Sequence, residues 1–419
     1  MTVPVPVLLD DRQRGGPFAA WLARYHVDRL RQLGLRAARV IHAPGLATWL
    51  DLEAAESRYL AVASSDGTAS LLSHELSPVA VLGRAPAGGA GAAGHRFAVS
   101  AVAWYPRDSA LVLTAGLDGA VKTWDANAGV VAESFDMGSR VWALALSRLH
   151  CLAAVGCEDG SVRLYDLASG TTLHQLGEGH DRAAVWAAAW SPTAEHQLLT
   201  GAADGTARLW DVRRWGGSLA VLDFERTSGS EAVSDEAGER LGESMAFATR
   251  PDRSAPSRVG SSFASWAARS AVPDPAAQAR ARGARAHAGP ITGLAATPDG
   301  RHWLTAGGDD ALRCWDAAAL TNTLRHFPGA FNRARRPKRL ALALAGDAVF
   351  APSGSAALGW DVATGAALCT LRGGHFESIN ACLWNEATQE LYSAGDDRLV
   401  LCWGHEGAGA GDEEDEDFH

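Results

Sequence analysis

One spacing recurs along this 419-residue chain: an Asp lies six residues before an aromatic residue or a Leu, six times in all. In four of these places a His stands 22–24 residues before the Asp, and a Thr or Ser stands four residues before it. The complete sets are His95, Thr114, Asp118 and Trp124; His180, Thr200, Asp204 and Trp210; His287, Thr305, Asp309 and Trp315; and His375, Ser393, Asp397 and Trp403. Partial copies are His42 with Asp66 and Leu72, and Asp159 with Tyr165. Such a period, in the forties, indicates a fold built from one repeated unit.

The spacing predicts a chain of hydrogen bonds inside each unit, a structural tetrad. The Asp, in a tight turn, accepts from the His; the His meets the hydroxyl on one strand, and the hydroxyl meets the indole N–H on the next. Buried polar groups need partners, so such a chain fixes strand register. A metal site or a catalytic dyad is the alternative interpretation. Four copies favour architecture, because an active site is normally built once.

A repeat of this length, with Gly-His upstream and Trp-Asp downstream, is typical of WD-repeat blades. Seven places end a third strand: Leu72-Ser73, Trp124-Asp125, Tyr165-Asp166, Trp210-Asp211, Trp315-Asp316, Trp360-Asp361 and Trp403-Gly404. We therefore predict an all-β fold, a seven-bladed WD40 β-propeller over residues 37–404. Residues 37–41 are the candidate strand that closes the ring on the last blade and removes its free edges. Blade 6 is the least regular, since Ser353-Gly354 replaces its turn Asp.

Composition limits the class of function. The chain is 47% hydrophobic, contains no apolar run near 18 residues and carries a net charge of −10. These features predict a globular protein with no membrane segment and argue against direct nucleic-acid binding. The apolar start is interrupted by Pro4 and Pro6 and makes a poor signal peptide. Six cysteines without a CxxC pair indicate free thiols, and we expect no metal, no cofactor and no enzyme activity.

Residues 1–36 precede the propeller and have a helical pattern. Phe18, Trp21, Leu22 and Tyr25 fall at i, i+3, i+4 and i+7, and the apolar face then shifts to a stripe that includes Leu30. This pattern predicts a helical arm. Two interpretations stay open: the arm folds back on its own propeller, or it is offered to a groove on a partner.

Arg213 directly follows the third strand of blade 4. A planar guanidinium at that place lies at the rim of one face of the ring, where it can meet a carboxylate or a carbonyl of another protein. Residues 198–213 also resemble, nearly throughout, the consensus for docking on the cullin-4 adaptor, although Ala207 stands where a larger aliphatic residue is usual.

The chain resembles the Cockayne syndrome A family. The resemblance is carried by residues 95–99, 102–108, 121–125 and 209–214, with further support at 12–15 and 389–393, and it covers residues 10–404 apart from the insert described below. It implies the substrate receptor of a cullin-4 RING ubiquitin ligase that acts in transcription-coupled nucleotide excision repair, in the nucleus. The implied partners are the damaged-DNA-binding adaptor, cullin-4 and the RING subunit through that adaptor, the Cockayne syndrome B ATPase and stalled RNA polymerase II. The adaptor-binding residues it implies are Phe18, Trp21, Leu22, Tyr25, Leu30 and Arg213.

The opposite face would then hold the substrate. Topology points to loop residues beside the tetrad His positions, each of which is alternatively an ordinary loop or packing residue: Arg96, Phe97, Arg182, Trp186, Phe376 and Glu377. The competing function is a WD-repeat scaffold for another nuclear complex, in chromatin or RNA processing, without a ligase link.

Three further segments carry predictions. The gap of 105 residues between two blade ends places an insert at 225–285, rich in Ser, Ala, Gly and Arg, which we expect to be disordered. Residues 405–419 form an acidic tail with the same expectation. The third is a basic loop, which is a nuclear import signal, a solvated loop or a contact for an acidic partner: Arg333, Arg335, Arg336, Lys338 and Arg339.

Overall fold

The computed structural model describes residues 28–83, 94–148, 150–176, 180–214, 217–227, 283–329 and 338–405. The sequence folds into seven antiparallel sheets, and the inner strands of neighbouring sheets pack against one another. The result is the seven-bladed WD40 propeller that the repeats predict. No helix of the described residues is both long and apolar enough to cross a membrane.

Each blade runs from an inner first strand to an outer fourth strand. In blades 1 and 2 the strands are β2 Ala47–Leu52, β3 Tyr59–Ser64, β4 Ala69–Ser73, β5 Pro78–Leu82, β6 Val99–Trp104, β7 Leu111–Gly116, β8 Ala120–Asp125 and β9 Val130–Asp136. In blades 3 and 4 they are β10 Val141–Leu146, β11 Leu152–Cys157, β12 Val162–Asp166, β13 Thr171–Gln175, β14 Val185–Trp190, β15 Gln197–Ala202, β16 Ala207–Asp211 and β17 Ala220–Val221.

In blades 5 and 6 the strands are β18 Ile291–Ala296, β19 His302–Gly307, β20 Leu312–Asp316, β21 Ala343–Ala345, β22 Ala348–Ser353, β23 Ala356–Asp361 and β24 Ala367–Leu371. Blade 7 has β25 Ile379–Asn385, β26 Glu390–Gly395 and β27 Leu399–Gly404, and its fourth strand is β1, Gly34–His42. All seven third-strand ends predicted from the repeats fall at the ends of third strands. Blade 5 is the exception in strand number, since its outer strand is reduced to a bridge between Trp315 and Asn322.

Ring closure joins the two ends of the described chain. β1 pairs antiparallel with β27, from Gly34 opposite Gly404 to His42 opposite Leu399, with a bulge between Leu35 and Val40. The closing strand therefore begins at Gly34, three residues before the predicted start of the propeller. Every blade then has a neighbour on both sides, which removes the open edge that a linear array of sheets would expose.

The strand order gives the ring two faces. The turns between second and third strands and the connections between blades lie on one side, which we call the upper face. The connections from first to second and from third to fourth strands lie on the other, the lower face. Because β1 enters at the end of β27, the segment before Gly34 reaches the ring on the lower face.

Leu30 is part of the hydrophobic core and is not free for a partner, which corrects its assignment to the adaptor-binding set. Residues 28–31 are helical, and Leu30 is only 4% exposed. It packs with Leu33 in the cluster that contains Phe350 of blade 6 and Trp403 of blade 7. The arm is thus anchored on its own propeller at this point, as the fold-back interpretation requires, whereas Phe18, Trp21, Leu22 and Tyr25 lie outside the described residues.

The insert is shorter than predicted. Residues 225–227 belong to the ring: Thr227 forms a bridge with Asn322 at the outer edge of blade 5, and the Asn322 N–H donates to the Arg226 carbonyl. On the return side, the Phe224 N–H donates to the Arg285 carbonyl at 2.8 Å. The rest of the insert, 228–282, and residues 406–419 of the tail lie outside the described residues. All six cysteines are free, and all but Cys151 and Cys369 are buried.

The burial of Leu30 predicts a large effect on stability. Leu30→Ala removes buried methyl groups and leaves a cavity, so the free energy of unfolding should fall by about 2–5 kcal/mol. Leu324→Ala is the matched control, because Leu324 is 64% exposed and its change should stay within about 0.5 kcal/mol. Chemical denaturation followed by tryptophan fluorescence measures both. Equal denaturation midpoints for the two variants would show that the arm is not anchored at Leu30.

Candidate functional site

The tetrads hold the upper face together from inside the blades. In blade 2, His95 Nδ1 lies 2.9 Å from Asp118 Oδ1 and His95 Nε2 lies 2.7 Å from Thr114 Oγ1. Trp124 Nε1 donates to the same Thr114 oxygen at 2.8 Å. Contacts of 2.7–2.9 Å join the corresponding residues of blade 5, which are His287, Thr305, Asp309 and Trp315.

Blade 7 forms the same chain with a serine. Ser393 lies on β26 and is fully buried, so its hydroxyl is not available to a ligand at the surface. Its Oγ lies 2.8 Å from His375 Nε2 and accepts from Trp403 Nε1 at 2.7 Å. His375 Nδ1 lies 3.0 and 2.8 Å from the two carboxylate oxygens of Asp397. The structural role that the spacing predicts for Ser393 therefore holds, although the residue differs from the Thr of the other three blades.

Blade 4 departs from the predicted pattern. His180 Nδ1 lies 2.9 Å from Thr206 Oγ1, and Thr206 in turn donates to Asp204 Oδ1 at 2.8 Å. The expected direct bond from His180 to Asp204 is therefore replaced by a chain that is one residue longer. The remainder keeps the pattern, because Thr200 Oγ1 lies 2.7 Å from His180 Nε2 and accepts from Trp210 at 2.7 Å. Thr206 stands two residues after Asp204, and its hydroxyl occupies the position between the carboxylate and the His180 ring.

Burial favours the neutral form of the four tetrad histidines. Burial lowers the pKa of His95, His287 and His375, and it lowers the pKa of His180 well below its ordinary value. A neutral imidazole has one donor and one acceptor nitrogen. In the complete tetrads Nδ1–H donates to the carboxylate and Nε2 accepts from the hydroxyl, which leaves the hydroxyl oxygen free to accept from the indole. Every member of the chain is then satisfied without a buried positive charge.

In blades 2, 5 and 7 the tetrad Asp also positions the loop that follows its His. The second oxygen of Asp118 accepts the Arg96 N–H at 2.9 Å, and that of Asp397 accepts the Phe376 N–H at 3.2 Å. This bond fixes where the next side chains leave the surface. Phe97 is 63% exposed and Phe376 is 75% exposed, which is unusual for large apolar residues.

The other candidates on the upper face divide into two groups. Arg96, Arg182 and Glu377 are exposed, as expected of loop residues. Trp186 is instead the second residue of β14, partly buried, with its ring centroid 6.1 Å from that of Trp142. It lines the opening of the central channel and not an outer loop. All six candidates nevertheless belong to the upper face, in blades 2, 4 and 7.

Arg339 is not a member of a solvated basic loop, which corrects that interpretation for this residue, whereas the Lys338 side chain is 39% exposed. Arg339 Nε donates to the Trp186 carbonyl at 2.6 Å, and its Nη1 donates to the Ser100 carbonyl at 2.8 Å. The guanidinium thus crosses the central channel. Lys338 forms an ion pair with Asp396. Arg333, Arg335 and Arg336 lie outside the described residues.

On the lower face, Arg213 is exposed but already paired. Its side chain is 65% exposed, and its guanidinium holds the buried Asp211 with two bonds of 3.0 and 2.8 Å. This bidentate contact lowers the pKa of Asp211. The planar group predicted to reach a partner is therefore oriented by its own blade, and its outer edge is the part left for another molecule.

One cluster on the lower face contains side chains of the types that bind metals, but the orientation of its two imidazole rings does not suit a shared ion. His150, Glu195 and His196 meet at the connections after β10 and β14, with His150 Nε2 3.4 Å from Glu195 Oε2. The sequence gives no signal for it, because the residues come from different blades. The two imidazole rings are nearly parallel, at 10°, with centroids 5.0 Å apart. Lone pairs lie in the ring planes, so both rings would have to turn before they could share one ion.

Comparison with known proteins agrees with this architecture. The family model "WD domain, G-beta repeat" matches residues 92–125, 134–166, 170–211, 282–316 and 365–404. The chain is 36% identical to WD repeat-containing protein ATCSA-1 of Arabidopsis thaliana over 332 residues, which is 74% of this chain and 72% of that protein. This protein belongs to the WD-repeat family of ATCSA-1.

Other WD-repeat relatives match over much less of their length. The ribosome biogenesis protein WDR12 homolog of Chlamydomonas reinhardtii is 35% identical over 133 residues, 31% of this chain and 30% of that protein. The homolog in Trichoplax adhaerens is 34% identical over 123 residues, 29% of this chain and 28% of that protein. A likeness of this extent is what shared repeats produce. The WD family model does not match most of blades 1 and 6, which contain no complete tetrad.

The tetrads predict a sharp stability difference between two isosteric changes. Thr305→Val leaves His287 Nε2 and Trp315 Nε1 without a partner. At about 1–3 kcal/mol for each of these two buried groups, the free energy of unfolding should fall by about 2–6 kcal/mol. Thr321→Val is the control, because the Thr321 hydroxyl is buried without a hydrogen-bond partner among the described residues. Its loss should be neutral or stabilising, and comparable losses in the two variants would contradict the proposed role of Thr305.

The lowered pKa values of the tetrad histidines predict acid sensitivity. The unfolded chain binds protons on these residues below their ordinary pKa of 6.5, whereas the folded chain binds fewer because burial lowers their pKa. The free energy of unfolding should therefore decrease as pH falls below about 6.5. His180→Gln, which cannot take a proton, should start less stable but lose less on the way to about pH 5.5. Urea denaturation across this range tests it, and an unchanged pH slope in the variant would refute it.

Proposed function

We propose that this protein is a substrate receptor of a cullin-4 RING ubiquitin ligase that acts in transcription-coupled nucleotide excision repair in the nucleus. The observation that carries the proposal is the similarity to ATCSA-1 over 74% of the chain, which runs through several blades and is not confined to a few repeats. The motifs that resemble the Cockayne syndrome A family point the same way. The chain itself performs no chemistry in this scheme, because ubiquitin transfer belongs to the RING subunit.

The lower face supports docking on the adaptor. The segment before Gly34 joins the ring there, and Leu30 and Leu33 fix its last turn in the core. An anchored base sets the direction in which the preceding residues leave the ring, which lowers the entropy cost of docking an arm. Arg213 belongs to the same face in blade 4, across the ring from blade 7. An adaptor that contacts both would span the lower face.

The upper face supports substrate binding. Phe97 and Phe376 expose most of their rings and belong to blades 2 and 7, the two neighbours of blade 1. Exposed aromatic groups on a rigid scaffold are common anchors of protein interfaces. The proposed partners on this face are the Cockayne syndrome B ATPase and stalled RNA polymerase II. With the adaptor below and the substrate above, the ring holds the two at a fixed separation.

A pair of double variants tests this division of faces. Trp21→Ala with Leu22→Ala should weaken binding of the purified chain to the adaptor by about tenfold or more, since the arm loses two of its large apolar side chains. Phe97→Ala with Phe376→Ala is the matched control: it should leave adaptor binding unchanged and reduce recovery of repair partners from ultraviolet-treated cells. Isothermal calorimetry measures the first effect, and affinity purification with mass spectrometry measures the second.

Full adaptor binding by the Trp21 and Leu22 double variant would remove the receptor proposal in this form. Recovery of chromatin or RNA-processing complexes without cullin-4 would favour the alternative, a WD-repeat scaffold. The partial matches to WDR12 homologs favour that alternative only weakly, because each covers less than a third of this chain.

A further inference from the structure

The inner strands of six blades share an irregularity that aims side chains at the central channel. In each, the antiparallel pairing of first and second strands shifts register at the second residue. A bulge of this kind turns its extra residue away from the regular pleat. The bulged residues are Thr48, Ser100, Trp142, Trp186, Thr292 and Asn380. Five of them, all but Thr292, line one cavity of ≈ 280 Å³ at the upper opening of the channel.

Three of these five side chains bind neighbouring blades. Thr48 donates to the Val99 carbonyl at 2.6 Å, Ser100 to that of Val141 at 2.7 Å and Asn380 to that of Ala47 at 2.8 Å. The acceptor is always the first residue of the next inner strand, so these contacts are structural. Blades 3 and 4 place Trp142 and Trp186 at this position instead. Their side chains form an apolar wall, and the Trp142 N–H is buried without a hydrogen-bond partner among the described residues.

Arg339 brings a positive charge to the cavity without a counterion. Its hydrogen bonds go to the carbonyls of Ser100 and Trp186, and its guanidinium lies 4.7 Å from the centre of the Trp49 ring. No acidic side chain pairs with it in the part of the chain that the structure describes. The surrounding protein lowers the pKa of Arg339 to about 9, although the side chain keeps some accessible surface. A cation in such a place favours the approach of an anion, because charges removed from water are costly unless paired.

The other polar side chains of the cavity are bound to neighbouring protein groups, which leaves their net charge as the property that a ligand meets. Asn380 is buried, and its Nδ2 donates to the Ala47 carbonyl and, at 2.8 Å, to Asp396. Because both partners are acceptors, the amide orientation is fixed. Its Oδ1 is buried and has no hydrogen-bond partner among the described residues. The cavity is lined by two positive side chains, Lys338 and Arg339, and one negative side chain, Asp396, so its net charge is one positive unit.

We infer that the channel opening binds an acidic side chain, Glu or Asp, from an extended segment of a partner protein. Its carboxylate meets the cationic side of the cavity at Arg339 and Lys338, and its methylene stem packs against Trp142 and Trp186. The volume suits one side chain with its adjoining backbone. A Lys or Arg side chain would stack on the indoles equally well, but the excess positive charge disfavours it. The inference rests on the proposed function in taking the upper face as the substrate side.

Peptide binding to the full chain provides the test. Three labelled peptides of roughly ten residues, alternating Ala with Glu, Gln or Lys, are titrated by fluorescence anisotropy. The Glu peptide should bind about tenfold or more tightly than the Gln peptide, quench tryptophan emission and weaken with salt, since charge-assisted contacts are strong and screened. Equal binding of the Glu and Gln peptides, or tighter binding of the Lys peptide, would overturn the inference.

Two variants locate the binding. Trp186→Ala should lower the affinity for the Glu peptide by about tenfold, because the packing on the indole is lost. Lys338→Gln should lower it by several-fold, because a positive charge is lost. Arg301→Gln is the control for charge, because Arg301 is 81% exposed and belongs to the lower face. It should bind like the parent chain. Unchanged binding in both cavity variants would overturn the inference, and Lys338→Gln decides the question even if Trp186→Ala fails to fold.

The same variants separate this inference from the proposed function. All of them should keep full affinity for the adaptor, which docks on the other face. Adaptor binding without preference for the Glu peptide would overturn the inference alone. Preference for the Glu peptide without adaptor binding would instead remove the ligase proposal and leave the acidic-ligand site standing.

Discussion

The structure depends on one buried chain of hydrogen bonds, repeated in blades 2, 4, 5 and 7. It runs from a turn carboxylate through an imidazole and a hydroxyl to an indole N–H, with links of 2.7–3.0 Å. In blade 4 the Thr206 hydroxyl stands between the carboxylate and the imidazole. These groups could not be buried one at a time, because each would lose its bonds to water. Together they tie the connection between two blades to the second and third strands of one blade. The same carboxylates hold the loops after His95 and His375, so the interior chain also decides which side chains reach the upper surface.

Blades that lack the chain solve the same problem differently. In blade 3, Arg163 donates to Asp159 and to the Met137 carbonyl. In blade 6, Trp360 donates to the Pro328 carbonyl at 3.0 Å. These contacts differ from blade to blade, so the polar groups are satisfied but the sequence shows no repeated spacing between the residues. The ring tolerates such blades because closure through β1 and the packing of neighbouring inner strands hold every sheet on both sides.

The channel shows how a symmetric fold acquires a specific surface. Seven inner strands surround one axis, and the bulge near the start of most of them directs a residue toward it. Where that residue is small and polar, as at Thr48, Ser100 and Asn380, it bonds to the next blade. Where it is Trp142 or Trp186 it cannot make that bond. Arg339 reaches the exposed carbonyls of blades 2 and 4 instead, and its charge gives the opening a positive character that the net charge of −10 conceals.

The sequence by itself determined the blades. A tetrad is local, since its members, such as His180 and Trp210, lie within 30 residues of one another, and its spacing therefore revealed four blades. The third-strand ends raised the count to seven, and the need to close the ring pointed to the closing strand. The candidates next to the tetrad histidines, such as Phe97 and Phe376, could also be found from the sequence, because they lie within two residues of those histidines. Only the tertiary structure decided the side-chain contacts that the repeat does not encode: the burial of Leu30 between blades 6 and 7, the place of Trp186 and Arg339 in the channel, and the bond from His180 to Thr206. Such contacts join residues that are distant in the chain or compete at one hydroxyl, and no periodic pattern records them.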